Sequence, residues 1–151
     1  MGAIMEFATE KQIASFLSTC RIEGQKNFLM AFKKKTWLKS FIDFFVIGGS
    51  YYVQSSVKPK ILAFTPKGIY LMDISDITEN RFNQVLEMPW NQVKDFTYKP
   101  VLNAVRLNWN YQNEAYIFSV DVGQISQHVG QYQFNKEHYD YLAQQDFFRS
   151  K

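Results

Sequence analysis

Ile61-Leu62-Ala63-Phe64-Thr65-Pro66-Lys67-Gly68-Ile69-Tyr70-Leu71-Met72-Asp73 places two apolar runs on either side of a turn whose chemistry can be specified. Pro66 holds φ near the value that the first central position of a turn needs, and Gly68 suits the fourth position of a type I turn. The stretch therefore reads as a β-hairpin. It decides the fold because strand-like runs follow it, and after them a single helix.

Downstream, Asp76–Arg81 is polar and loop-like, and a strand is expected near Asn83–Met88, limited by Pro89. Trp90–Tyr98 supplies another extended run. In Ala104–Asn110, Val105, Leu107 and Trp109 alternate with Arg106, Asn108 and Asn110; in Ala115–Val122, Tyr116, Phe118 and Val120 alternate with Ile117, Ser119 and Asp121. Period-two alternation on both sides of Tyr111-Gln112-Asn113-Glu114 describes antiparallel partners with one buried face each. Gly123–Phe134 is a Gln-rich connection of undetermined form. Asn135 is placed to cap a closing helix, with Glu137 and Asp140 near its positive end and Tyr139, Leu142, Ala143 and Phe147 as its apolar side.

Upstream, Thr9-Glu10-Lys11-Gln12 is a capping-box pattern, and Ile13, Phe16, Leu17 and Cys20 follow at i, i+3, i+4 and i+7. This predicts a short amphipathic helix whose Ile13, Phe16 and Leu17 are buried. Beyond Gly24, Gln25–Ile47 is expected to be helical, as one helix or two. As a straight helix it would carry two apolar stripes, Phe28, Leu29 and Phe32 on one side and Trp37, Leu38, Phe41, Ile42 and Phe45 nearly opposite. Gly48-Gly49-Ser50 is the natural hinge into strands, Ser50–Ser55 the first strand, and Val57-Lys58-Pro59-Lys60 a loop before the hairpin.

About seven short strands followed by one helix resemble the plan of the pleckstrin-homology (PH) superfold, an antiparallel sheet folded on itself and closed at one end by a helix. Ile61–Thr65, the turn and Ile69–Met72 resemble the hairpin signature of bacterial PH-like domains, and Met88-Pro89-Trp90-Asn91-Gln92-Val93 resembles the segment that leads from one sheet into the next. The fold class expected is thus mainly β: a PH-like antiparallel sandwich or partly open barrel with an N-terminal helical extension. Residues 5–48 would be the extension and 49–151 the PH-like domain, one compact unit. The resemblance implies a binding module without naming its ligand. Phosphoinositide-binding members carry basic residues in the first strand, the next loop and the second strand; here that region offers only Lys58 and Lys60, a weak anion-binding candidate.

Composition narrows the function classes further. The chain has 151 residues, 46% of them hydrophobic and 17% aromatic, enough for one core and not for two domains. Its one cysteine, Cys20, cannot form an intrachain disulfide and lies on the apolar stripe of the first helix, as a buried thiol would. The N-terminus lacks a basic region followed by an apolar one, so no signal peptide is expected and a reducing cytoplasm is the default. Met5 is an alternative start. Phe44–Ile47 is the strongest apolar run and is far shorter than the ~20 residues of a membrane span.

Catalytic patterns are thin. His128 and His138 stand outside any spacing that sets two imidazoles on one helical face, and a lone histidine at a helix start is ordinarily a surface or capping group. No phosphate-cradling glycine loop is present. The chain is read as non-enzymatic, with no cofactor and no metal. The net charge of +3 is concentrated: Arg21–Phe45 carries six basic and two acidic residues, leaving the remainder at −1. Lys33, Lys34 and Lys35 with Trp37, Phe41 and Phe45 therefore form the candidate contact surface. A protein partner or self-association is the expected use, peripheral contact with anionic lipid the alternative, and carriage of a small apolar ligand a third. Nucleic acid is disfavoured, because no wide basic surface is implied.

Overall fold

A computed structural model describes residues 8–34, 59–123 and 134–149. The elements are α1 (Glu10–Thr19), β1 (Phe28–Lys34), β2 (Pro59–Thr65), β3 (Gly68–Asp73), α2 (Ile74–Thr78), β4 (Leu86–Pro89), β5 (Val93–Val101), β6 (Ala104–Tyr111), β7 (Glu114–Asp121) and α3 (Phe134–Gln144). Among the described residues the fold is mainly β, a seven-stranded antiparallel sheet in the order β4-β3-β2-β1-β7-β6-β5 that is not closed, with α1 before it and α3 after it.

The hairpin and the alternating pair form as the sequence predicts. β2 and β3 pair from Lys60↔Asp73 to Thr65↔Gly68, and the Thr65 hydroxyl accepts from the amides of Lys67 (3.1 Å) and Gly68 (3.3 Å) to close the turn. Val105, Leu107 and Trp109 of β6 and Tyr116, Phe118 and Val120 of β7 are buried on one face. Trp109 stacks on both Tyr116 and Phe118, with ring centroids 5.6 and 5.4 Å apart. The sheet curls so that its ends share this core. The Trp109 indole lies 3.3 Å from Met88 Sδ on β4, and the Trp90 indole donates to the Thr65 carbonyl at 2.7 Å.

The helical expectation for Gln25–Ile47 is corrected where the structure describes it: Phe28–Lys34 is a strand, the fourth of seven in the sheet, paired with β2 on one side and β7 on the other. The reason is burial on both faces. Leu29 and Ala31 enter the core enclosed by the curled sheet, while Phe28 and Met30 enter a second core beneath α1 and α2. A strand buried on both sides is a continuous apolar run, which periodicity does not separate from a buried helix. Phe28, Leu29 and Phe32 are therefore no helical stripe. Ser50–Ser55 lies outside the described residues.

Smaller corrections follow from local pairing. Ile74–Thr78 is a helical turn where Asp76–Arg81 reads as loop; Phe82–Gln84 and Trp90–Gln92 are 3-10 turns leading into β4 and β5. At the N-terminus the capping box is present: Thr9 Oγ1 accepts from the Gln12 amide (3.1 Å) and Gln12 Oε1 from the Thr9 amide (2.9 Å). Ile13, Phe16 and Leu17 are buried as predicted. Asn135 is not a cap. It lies inside α3, buried, and Phe134 and Leu142 of the same helix reach the two cores on either side of the sheet.

Candidate functional site

Of the sequence-predicted contact residues, Lys33, Lys34 and Lys60 fall within the described part of the chain. Lys33 is exposed at the end of β1, its ammonium 5.1 Å from the centre of the Tyr116 ring, a cation–π contact. Burial, and then a hydrogen bond to Glu114, pushes the Tyr116 hydroxyl up to about 12, so the ring beneath Lys33 stays neutral. Lys34 pairs by backbone with Ile117 of β7. Lys60 is partly buried and ion-paired across the hairpin with Asp73. Lys35, Trp37, Phe41, Phe45 and Lys58 lie outside the described residues.

Of the three side chains weighed as catalytic, His128 lies outside the described residues, and His138 and Cys20 are placed by the fold. His138, expected as a surface or capping group, is fully buried, with Nδ1 2.8 Å from the Phe28 carbonyl and Nε2 3.2 Å from a Glu10 carboxylate oxygen. A carbonyl only accepts, so Nδ1 carries the proton there. The imidazole ties α3 to β1 and α1. Cys20, expected buried, is half-buried at the end of α1, and desolvation pushes its thiol up. Among the described residues no cluster of three His, Cys, Asp or Glu could hold a metal ion. No described helix is long and apolar enough to cross a membrane.

What the fold does assemble is a groove of about 330 Å³ between α1 and the segment that follows α2. Phe16 and Phe82 make part of its wall, stacked with centroids 4.9 Å apart and planes 24° apart. Phe16 is buried, whereas Phe82 keeps 41% of its surface open. Ser15 and Thr19 on one side and Thr78 and Asn80 on the other form a polar rim. The Thr19 hydroxyl donates to the Ser15 carbonyl (3.1 Å) and the Thr78 hydroxyl to the Ser75 carbonyl (3.2 Å), which leaves their lone pairs free to accept.

Local chemistry sets this wall. Asp76, 7% exposed, receives the Arg81 guanidinium at 3.1 Å and the Asp73 amide at 3.2 Å, and the Arg81 amide donates to the Asp76 carbonyl. Asn80 then takes φ 56°, a left-handed conformation that asparagine tolerates better than most residues. The chain reverses there and delivers Phe82 onto Phe16. Apolar wall and hydroxyl rim suit an extended segment that offers one apolar side chain and backbone N–H donors; they contain no nucleophile paired with a base.

Sequence reading passed over this site. Ser15 and Thr19 lie on the polar side of α1, and their partners come from a distant part of the chain, so only the isolated Phe82 within a polar run was a visible signal. No family model matches the chain, and a search of curated proteins finds no match to it.

Proposed function

We propose that this chain is a non-enzymatic PH-like interaction module of the cytoplasm, acting through protein contacts, and that the groove between α1 and the Asn80–Phe82 turn receives an extended segment of its partner. The observation that carries this reading is Phe82: an aromatic ring stacked on one face against Phe16 and left 41% exposed on a groove wall. A preplaced aromatic ring with a polar rim has the composition of an interface anchor. The single cysteine, which has no second cysteine to pair with in the chain, is in keeping with a reducing compartment.

The test is selection of displayed random peptides against the folded chain, followed by affinity measurement on Phe82→Asp. Enriched peptides should share an apolar residue and lose about tenfold or more in affinity for the variant, since truncating an interface anchor costs ~1–2 kcal/mol or above. Peptides that bind wild type and Phe82→Asp equally, or no enrichment at all, would rule the groove out.

A further inference from the structure

The hairpin between β5 and β6 turns through two residues, Leu102 and Asn103. Leu102 has φ 57° and is 98% exposed. Two-residue hairpin turns that need positive φ favour Gly, Asn or Asp, because a branched side chain crowds the backbone there. Leucine at this place is therefore unfavourable twice, in its backbone and in its wet side chain. Its neighbour Val101 is 41% exposed. The tip is nevertheless held firmly, since the Asn103 carbonyl accepts from the Val122 amide at 3.0 Å.

Two cations stand directly behind this apolar tip. Lys99 and Arg106 are cross-strand partners, both exposed, and neither is ion-paired with a described residue. Like charges placed opposite one another repel and lower the stability of the hairpin. Lys99 shares a sheet face with Val101 by strand alternation. Asp121, opposite Ala104 on β7, is turned to the Gly123 amide at 3.0 Å. Lys99 precedes Leu102 by three positions, roughly 10 Å at about 3.3 Å per residue. That spacing is comparable with the ~5–10 Å over which interfacial elements bury their apolar parts beneath the headgroups.

We infer that the β5–β6 hairpin is a membrane wedge, in which Leu102 and Val101 enter the acyl boundary of an anionic lipid surface while Lys99 and Arg106 meet its phosphates. Two of the tip's unfavourable features are relieved in that position: the apolar side chains leave water, and the paired cations gain counter-charge. The inference goes beyond the groove and does not depend on it.

The experiment is co-sedimentation of the full chain with phosphatidylcholine vesicles and with vesicles of equal parts phosphatidylcholine and phosphatidylserine, at low and high salt. Wild type should sediment with the anionic vesicles and be released by salt. Leu102→Asn should lower partitioning about tenfold while leaving the melting temperature unchanged or higher, because asparagine accepts positive φ. Lys99→Glu and Arg106→Glu should each lower it about fivefold or more, the equivalent of ~1 kcal/mol for one lost cation. Wild-type chain that stays in the supernatant overturns the wedge. So does binding that survives Leu102→Asn, including binding abolished by Lys33→Glu with Lys34→Glu alone. A dimer by light scattering that becomes monomeric as Leu102→Asn, with no sedimentation in either case, would assign the tip to protein contact instead.

Discussion

Asn135 accepts from the Met30 amide at 2.9 Å and donates to the carbonyls of Met30 (2.9 Å) and Asp121 (3.1 Å). β1 and β7 pair at Phe32↔Ser119 and separate towards Met30, and the Asn135 amide fills the gap as a short piece of strand would. Three residues on, His138 serves the Phe28 carbonyl in the same way. Both side chains satisfy backbone groups that would otherwise be buried without partners. A cap and a bracket use the same amide group, so local spacing pointed to a cap. The two roles are separable by substitution. Asn135→Ala should destabilise the fold by about 3 kcal/mol in urea unfolding, as expected when buried partners are orphaned. Asn135→Asp, harmless at a cap, should be comparably damaging, because a carboxylate oxygen would then face two carbonyls.

Among elements, the β2–β3 hairpin was legible because its turn chemistry is local, and β6 and β7 were legible because each has one wet face. Gly68 adds a constraint that the turn pattern does not express: a Cβ there would lie 2.2 Å from the Met88 carbonyl oxygen of β4. Gly68→Ala should therefore force β4 from β3 and cost about 2–4 kcal/mol by chemical denaturation, in the range of overpacking against backbone. A cost within ~0.5 kcal/mol would mean that β4 is free to move aside. The two edge strands are poor templates for strand addition. β4 is short and ends at Pro89, and β5 is interrupted by a bulge between Lys94 and Thr97, with Asp95 at φ 58°, and carries Lys94, Lys99 and Pro100. Charges, prolines and bulges blunt an edge, so neither edge offers a ready template for a further strand.

At the scale of the whole molecule, the sheet separates two cores and the C-terminal segment locks the one inside its curl. After α3, Asp146, Phe147 and Phe148 take φ values of 50°, 57° and 60°, a left-handed turn of non-glycine residues. Such a run costs roughly 1–2 kcal/mol per residue and is held in place by what it delivers. Phe147 is fully buried, with its ring centre 4.6 Å from Tyr98 and 4.9 Å from Phe64. Arg149 then donates to the Phe96 carbonyl at 2.8 Å and lies over the Phe96 ring. Phe147→Ala should cost about 3–5 kcal/mol, a large share of an ordinary domain's ~5–15 kcal/mol, and the midpoint of urea unfolding will show it. A loss below ~1 kcal/mol would leave the left-handed turn without a reason.

By itself the sequence determined a mainly β chain, the hairpin at Pro66–Gly68, the capped α1 with its buried Ile13, Phe16 and Leu17, and the alternating faces of β6 and β7. Each depends on spacing within one segment, where the pattern records a boundary between core and water. Only the tertiary structure decided that Phe28–Lys34 is a strand, that Asn135 and His138 serve its backbone, and that Phe16 and Phe82 meet as a groove wall. Burial on both faces removes the alternation that would identify β1, and contacts between distant segments leave no period along the chain.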